Sequence, residues 1–572
     1  MFLLAQPESD KKISKSLLDA FSQKSKQEFL IVMKDQMDVQ WPSELYIKKE
    51  DKARRTYQLL KDHALYTQQA VLDMLNKEQK EYRSHFIYNC IYVKADLSMA
   101  RKAATYNEVE SIIDLQQIEL QETKMESQSS NTLEIVNTWG VDTIRASKVW
   151  EEMNVRGEGA VIGNQDTGVE WEHPGLRPMY RGSLSDSSAN HNYSWHDAIH
   201  YPEDTTGLNL NPCGYDTKEP CDDHNHGTHT VGTSVGKLQE YCFGVAPGAK
   251  WMACRNMDRG VGTPETYIEC FEWFMAPTDL NGENPNPSLA PDVINNSWAC
   301  PESEGCNPSN FQIMESAINN LRSSGVVVVV SAGNSGRSGC ASVNTPAAIF
   351  ESSFTVGAIQ QNDTIASFSS IGPVVVDGSG RLKPNVVAPG RSVRSSVRNG
   401  EFARFSGTSM AGPHVVGAVA LMISANPLIA GQVDTIEAIL EETALPRTIG
   451  GRDCSPYSGL QEINHIYGHG RIDAFRAVEL AMQFDTTVTT SLDEFYPGQN
   501  IVFFPNPVDE QLNIMYAEAW SQATIRIYNA MGELMYENQI SESLNLSALN
   551  SGLYYILIND NESRLSYKFI KK

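Results

Sequence analysis

The sequence predicts an α/β fold in which a parallel sheet is covered by helices on both faces. Three observations predict it. Short apolar segments alternate with helix-forming segments through the middle of the chain, the pattern of strands joined by crossovers. One of them, Val326–Val330, is five valines in a row, as expected of a strand buried on both faces. The stretch Phe405–Ala425, FSGTSMAGPHVVGAVALMISA, runs into a segment of Ala, Val, Gly and Leu that is apolar on every side, and such a helix has to be buried in a large core.

The strands are expected at 160–164, 251–255, 293–296, 326–330 and 354–358, with helices at 230–237, 264–275 and 311–322 between them. Ahead of this region lies a separate strand–helix–strand–helix–strand order, at 28–33, 49–78, 85–93, 97–105 and 109–120, which suits a small α+β sandwich. Behind it, from Phe503 onward, short alternating segments broken by Pro-Asn-Pro, Met-Gly and Ser-Gly suit a small β-sandwich. Six segments follow: 1–24 as an N-terminal stretch, 25–120 as the α+β unit, 121–132 and 483–499 as linkers, 133–482 as the α/β unit and 500–572 as the β-sandwich. The stretch QETKMESQSSNT, Gln121–Thr132, is polar and reads as strand-breaking and open to proteolysis.

A chain of 572 residues has room for about three or four domains. Its net charge of −24 excludes a nucleic-acid binder and suits a soluble secreted protein. No apolar run reaches the roughly 18 residues that span a bilayer. Met1–Gln6, MFLLAQ, looks like the end of a signal peptide, with the natural start expected upstream. Of ten cysteines, Cys213 with Cys221 and Cys300 with Cys306 flank short loops and read as local disulfides. Cys254 and Cys270 read as buried small hydrophobes, and among the remaining thiols at least one is expected free.

Chemistry gathers in four places. Ser409 falls in the first turn of the apolar helix, where a helix dipole and unpaired N–H groups stabilise developing negative charge. Alone it would be an N-cap. A serine nucleophile needs a base, and the base needs an orienting group. VIGNQDTGV, Val161–Val169, ends a short strand at Asp166, and HNHGTHTVGTSVG, His224–Gly236, carries His226 at the head of a small-residue helix. VVVVVSAGNSG, Val326–Gly336, ends a buried strand at Asn334, whose amide could donate to an oxyanion.

The motifs DTG, HGTH, AGN and GTSMAGP, in this order, resemble the subtilisin-like serine proteases, the subtilases. The resemblance implies a subtilisin-like sheet, with Ser409 as nucleophile, His226 as general base and acid, Asp166 as the group that fixes the imidazole, and Asn334 as oxyanion donor beside the N–H of Ser409. Cys254–Pro277 resembles the bacillopeptidase F-like branch. By the same resemblance Ser297, Trp298 and Ala299 form a strand that pairs with bound peptide, and Ser331, Ala332 and Gly333 form the facing wall. Relatives often have Leu-Gly after that Ser, so Trp298 implies reshaped pockets. The segment 25–120 stands where the family has its propeptide, an intramolecular chaperone and inhibitor whose last strand runs into the cleft until it is cut. The C-terminal segment resembles the sorting domain of type IX secretion cargo, which implies export across a bacterial outer membrane and a secretion machinery as partner.

The implied protein is a secreted serine endopeptidase made as a self-processing zymogen. It acts on protein or peptide substrates, is inhibited by its own propeptide, is monomeric and needs no cofactor. The rivals are an inactive subtilase scaffold used for surface binding and an acyl-enzyme transpeptidase. Many subtilisins carry an Asn-rich calcium loop where this chain reads VGKLQEYCFG, so no calcium is expected there, and the plentiful carboxylates leave room for weak calcium binding elsewhere. No metal site is expected: His226 and His229 lack the Glu that a zinc helix carries beside its first His, Gly227 standing there instead. His229 and His414 read as structural, His173 and His224 as surface loop residues.

Overall fold

The structure, a computed structural model, describes residues 8–41, 46–115, 118–120, 124–129, 138–185, 188–200, 211–239, 241–298, 311–450, 452–485, 501–504, 508, 510–516, 520, 522–529, 533–559 and 564–571. The signal-peptide segment 1–6, Ala299, the Cys300–Cys306 pair and most of the linker 483–499 lie outside them. Two compact units are present, one formed by Met1–Val39 with Lys48–Phe484, the other by Gln40–Ile47 with Asp485–Lys572.

The first unit opens with α1 (Lys15–Gln23), β1 (Lys26–Met33), α2 (Lys49–Lys77), β2 (Tyr82–His85), β3 (Cys90–Asp96), α3 (Leu97–Ala104) and β4 (Val109–Asp114). The strands form an antiparallel sheet in the order β2-β3-β1-β4. Caps fix the helix starts: Ser14 accepts from Leu17 N and Asp96 from Met99 N. Leu17, Phe29, Ile31, Val71, Ile91, Val93, Met99 and Ile112 share one buried core. Because Leu17 of α1 belongs to it, this layer reaches further toward the N terminus than residue 25. The strand expected over 85–93 is instead two strands around a turn. The buried Gln68 amide donates to His85 O and to Asn89 Oδ1, which satisfies that turn's polar groups inside the protein.

The segment expected as one strand over 109–120 also breaks, and a second short strand, β5 (Ile118–Glu119), follows β4. Next comes β6 (Lys124–Ser129), inside the polar stretch expected to be strand-breaking. Strand addition at a sheet edge rests on main-chain hydrogen bonds, so polar side chains do not prevent it.

After α4 (Trp139–Thr143) and α5 (Ala146–Glu152), strands and helices alternate as expected: β7 (Val161–Asp166), β8 (Trp195–Asp197), α6 (His226–Val235), a small hairpin of β9 (Lys237–Leu238) and β10 (Tyr241–Cys242), β11 (Lys250–Arg255), β12 (Val261–Gly262), α7 (Pro264–Met275), β13 (Val293–Asn296), α8 (Phe311–Ser323), β14 (Val327–Ser331), β15 (Phe354–Ile359) and β16 (Val386–Pro389). Seven of these strands make one parallel sheet, β16-β15-β14-β13-β7-β11-β8. A hairpin, β17 (Val393–Val397) and β18 (Glu401–Ser406), leads into α9 (Thr408–Ala425). Then come α10 (Val433–Thr443), the short β19 (Asp453–Cys454) and β20 (Tyr457–Ser458), and α11 (Ala474–Ala481). Helix α9 is long and apolar enough to cross a membrane, yet it is buried nearly throughout, as a helix apolar on every side requires.

Three disulfides stand among the described residues. Cys213–Cys221 is the expected local pair. Cys254 and Cys270, read as separate hydrophobes, are bonded to each other, because β11 and α7 bring them within 5.7 Å Cα to Cα. Cys340–Cys454 spans 114 residues. Cys90 is a free, buried thiol, and Cys242 is buried as well.

The second unit holds two antiparallel sheets. One joins β21 (Ile501–Phe504), β22 (Gln511–Tyr516) and β25 (Ser543–Asn545); the other joins β24 (Leu534–Gln539), β23 (Thr524–Asn529), β26 (Gly552–Asn559) and β27 (Arg564–Lys571). Ile525, Ile527, Ile556 and Ile558, alternating along their strands, share a core with Leu512, Ile514, Trp520 and Phe569.

Candidate active site

Parallel strands aim their carboxyl ends at one rim of the sheet, and that rim is where loops can present side chains. Asp166 is the last residue of β7, His226 the first of α6 and Ser409 the second of α9. The structure brings the first two into contact: His226 Nδ1 lies 2.8 and 2.9 Å from the two Asp166 carboxylate oxygens. Asp166 Oδ1 also accepts from Thr167 N at 2.8 Å, so the carboxylate is held from both sides. All three side chains are buried.

Glycine makes this approach possible at two points. A Cβ on Gly227 would stand 2.0 Å from Gly168 O, and one on Gly168 would stand 1.8 Å from Cys221 O. Gly168 also has φ +97°, a left-handed conformation that side chains resist. The start of α6 is secured by Asp222, which sequence reading passed over. Its Oδ1 accepts from His224 N, Asn225 N and Thr167 Oγ1, and its Oδ2 accepts from Thr228 N and Thr228 Oγ1. Thr167 Oγ1 in turn accepts from Gly227 N. The one local signal for this role is an acidic residue placed four before His226, where first-turn N–H groups need acceptors.

Ser409 is positioned from the other side of the rim. Pro413 has no N–H to give the carbonyl four residues earlier, which is that of Ser409. Ser297 Oγ fills the place, donating to Ser409 O at 3.2 Å. Ser409 Oγ donates back to Ser297 O at 3.3 Å. Ser297 Oγ itself accepts from Asn295 Nδ2 at 3.0 Å, and that amide also reaches Asn164 Oδ1. These amides were not anticipated either. Among the described residues His226 Nε2 has no hydrogen-bond partner. The serine hydroxyl in this arrangement is therefore turned to the strand and not to the imidazole, and general-base contacts commonly tighten only once substrate is bound.

Asn334 follows β14, half-buried. Its Oδ1 accepts from Thr408 N at 2.9 Å and Thr408 Oγ1 at 3.1 Å, which fixes the amide with its oxygen toward the start of α9. The wall residues are drawn inward. Ser331 Oγ donates to Ser297 Oγ, Ala332 N to Val356 O, and Gly333 N to Thr408 Oγ1. Trp298 is buried against Tyr267 with ring centroids 4.0 Å apart, so it is part of the packing beneath the rim.

Two other histidines are structural, as expected. His229 stacks on Phe405 at 4.4 Å and bonds to Val393 O and Ala403 O, and burial lowers its pKa to about 3. His414 bonds to Met410 O, and burial lowers its pKa to about 4. Both are neutral near pH 7. His173 is not a surface residue. It is buried, its Nδ1 accepting from Gly175 N and its Nε2 bonded to Glu401 O, because the 170–177 loop folds under the β17–β18 hairpin. Among the described residues no group of three or more His, Cys, Asp or Glu side chains is placed to hold a metal ion.

The arrangement is a carboxylate orienting an imidazole, a hydroxyl at a helix N-terminus across the same rim, and an amide beside that terminus. Such a set can run nucleophilic acyl transfer. A family model described as the subtilase family matches residues 157–470, and one described as a secretion system C-terminal sorting domain matches residues 502–572, which marks the chain for secretion. The chain is 33% identical over 497 residues to bacillopeptidase F of Bacillus subtilis (strain 168), an alignment that covers 82% of this chain and 32% of that protein. This chain therefore spans about a third of that relative's length. It is 31% identical over 299 residues to subtilisin DY of Bacillus licheniformis, covering 52% of this chain and 88% of that one. Against subtilisin E of Bacillus subtilis (strain 168) the identity is 34% over 213 residues, 36% of this chain and 47% of the relative. The chain belongs to the subtilase family of serine peptidases.

Proposed function

We propose that this chain is a secreted serine endopeptidase that is made as a zymogen and cuts itself free of its N-terminal segment. Ser409 Oγ attacks the peptide carbonyl while His226 Nε2 takes its proton. Asp166 holds the tautomer that leaves Nε2 free to accept, and it stabilises the imidazolium that forms. The amide of Asn334 and the N–H of Ser409 donate to the tetrahedral oxyanion. His226 returns the proton to the leaving amine, and water releases the acyl group by the same steps in reverse. Serine, imidazole and carboxylate supply all the proton transfers, so the reaction requires no cofactor. The C-terminal unit delivers the chain to a type IX secretion machinery, and the enzyme acts as a monomer on protein or peptide substrates.

The observation that carries the zymogen reading is a pair of strands. β5 runs antiparallel on β12, with Ile118 opposite Gly262 and Glu119 opposite Val261, and Leu120 N donates to Gly260 O at 2.6 Å. β6 then begins opposite Ser406, three residues before Ser409. The N-terminal segment thus approaches the candidate nucleophile as an extended peptide, the conformation proteases read. We place the cut between Leu120 and Lys124. Intact-mass measurement of purified chain over time tests this. Wild type should lose a fragment ending in 120–123, and Ser409→Ala should stay whole. Equal processing of both, with no labelling of Ser409 by a fluorophosphonate, would refute it.

A further inference from the structure

We propose that Arg398 is a positioning residue for His226 and acts on it through Asn225. The inference rests on the peptidase reading above and adds to it a group that touches neither the substrate nor the reacting atoms. Asn225 stands immediately before His226 as the N-cap of α6, yet it does not cap. Its φ is +86° and its ψ −18°, a left-handed conformation where an N-cap is ordinarily extended, and its side chain makes no bond to the helix start. Others do that work: Gly227 N donates to Thr167 Oγ1, and Thr228 N donates to Asp222 Oδ2. The amide oxygen of Asn225 is turned to Arg398 instead, accepting from Arg398 Nε at 2.9 Å and from Arg398 N at 3.1 Å. Arg398 Nη1 also donates to Asp222 O at 3.3 Å. One side chain therefore grips both ends of the segment Asp222–Asn225 that leads into His226.

Arg398 is itself fixed. It opens the turn between β17 and β18, in which Asn399 and Gly400 have φ of +66° and +68°. Glu170 holds that turn, its Oε1 accepting from Asn399 N at 2.9 Å and its Oε2 from Gly400 N at 3.1 Å. Glu170 N in turn donates to Thr228 Oγ1 of α6. Ser395 and Ser396 of β17 donate to His229 O and Thr228 O. The hairpin is thereby fastened to the first turns of α6, and its second strand ends at Ser406, just ahead of Ser409. The segment that carries the candidate nucleophile and the helix that carries the candidate base are joined at Arg398 and Asn225, away from both reacting atoms.

A non-glycine backbone in a sparsely populated conformation persists where its surroundings over-determine it, and such residues gather at functional sites. Asp166 fixes Nδ1 of the imidazole. Where Nε2 points depends also on the backbone from which the side chain leaves, and that backbone follows directly from Asn225. Without the guanidinium, Asn225 is free to relax toward the extended conformation of an ordinary cap, and the start of α6 moves with it. A displacement of about 1 Å caused by a change remote from the chemistry can cost about 10²-fold in rate.

The test compares full-length wild type, Arg398→Met, Asn225→Gly and the double variant. Each is followed first by intact mass, as the rate of self-cleavage, and then by steady-state kinetics on a peptide ester, with its melting temperature recorded. Glycine takes the left-handed conformation freely but has no amide oxygen, so Asn225→Gly cuts the link without straining the segment. We expect either single change to lower the self-cleavage rate and kcat about 10- to 100-fold, with KM within about twofold of wild type. The double variant should be no slower than the slower single one, since both remove the same interaction. Should Arg398→Met fail to fold, Asn225→Gly carries the same expectation. Single variants with wild-type self-cleavage and kcat, whatever their melting temperatures, overturn the positioning role and leave the peptidase standing. A double variant that loses the product of the two single losses overturns the link between Arg398 and Asn225. Wild type that neither cuts itself nor hydrolyses the ester overturns both readings.

Discussion

Two sheets of the first unit are held by different chemistry. The parallel sheet and its helices close on an apolar interior that includes Ile162, Val293, Val327, Val356, Val415 and Val419. The N-terminal antiparallel sheet and α2 meet that layer with a set of buried charged and polar contacts beside apolar ones such as Ile87 and Leu60. Arg83 of β2 reaches Glu265 and Glu269 on α7, and His85 lies between Glu265 and Glu272. Glu272 also accepts from Phe86 N and Ile87 N, and Asn320 of α8 donates to Ile87 O. Lys49 reaches Asp292, and Lys52 reaches Gly431 O. Apolar contact does not depend on ionisation, whereas a buried ionic contact is weakened strongly once one partner loses its charge. The difference is what the proposed release of the N-terminal layer requires, an attachment that a change of charge can weaken.

Breaking the chemistry without touching the attachment should give the largest effect. Ser409→Ala is expected to lower kcat by roughly 10⁶-fold, the scale known for loss of a triad serine. It should leave the N-terminal layer joined and docked, which mass spectrometry of the purified chain checks. Asp166→Asn should cost about 10⁴-fold in kcat by favouring the wrong imidazole tautomer, measured by steady-state kinetics on a peptide ester. Asn334→Leu should cost about 10²- to 10³-fold in kcat with little change in KM, since an oxyanion donor acts in the transition state.

The opposite operation sharpens the contrast. Glu272→Gln removes the charge facing His85 from a residue that acts only on the docked layer. It should weaken binding of the cut N-terminal segment by about 2 kcal/mol, roughly thirtyfold, read as faster recovery of activity after processing. The smallest effect is in pH. Burial works against a charge on His85, but Glu272 and Glu265 outweigh it and raise its pKa to about 10. A group whose pKa is higher when docked contributes fully below its free value, near 6.5, and that contribution is lost as pH rises through about 10. The nicked complex should therefore hold at pH 7 and come apart more readily toward pH 10, as size-exclusion chromatography would report. No change over that range would mean that His85 is not charged in the docked state.

How much of this was legible in the sequence follows from where each interaction is encoded. Asp166, His226, Asn334 and Ser409 sit at element ends amid residues that must be small, so each carries a local signature. Gly168 and Gly227 are part of those signatures because a Cβ at either would strike a neighbouring carbonyl. Asn164 and Asn295 left none, since what they do depends on groups up to 131 residues away, and Asp222 left only its place four residues before His226. The Cys254–Cys270 bond was hidden for the same reason, its sulfurs being brought together by a strand and a helix. β6 was missed because pairing through the backbone asks nothing of Lys124–Ser129 beyond an extended chain.

The pairing of β5 with β12 and of β6 with β18 has a kinetic consequence for the proposed self-cleavage. The segment between these strands is held at both ends within one chain, so its meeting with Ser409 is not a collision between molecules. Covalent connection replaces encounter with an effective concentration that dilution cannot lower. Under the proposed self-cleavage the first cut is a clock that starts when the chain folds, and each molecule runs it alone, at the same pace in a crowded compartment as in a drop of buffer.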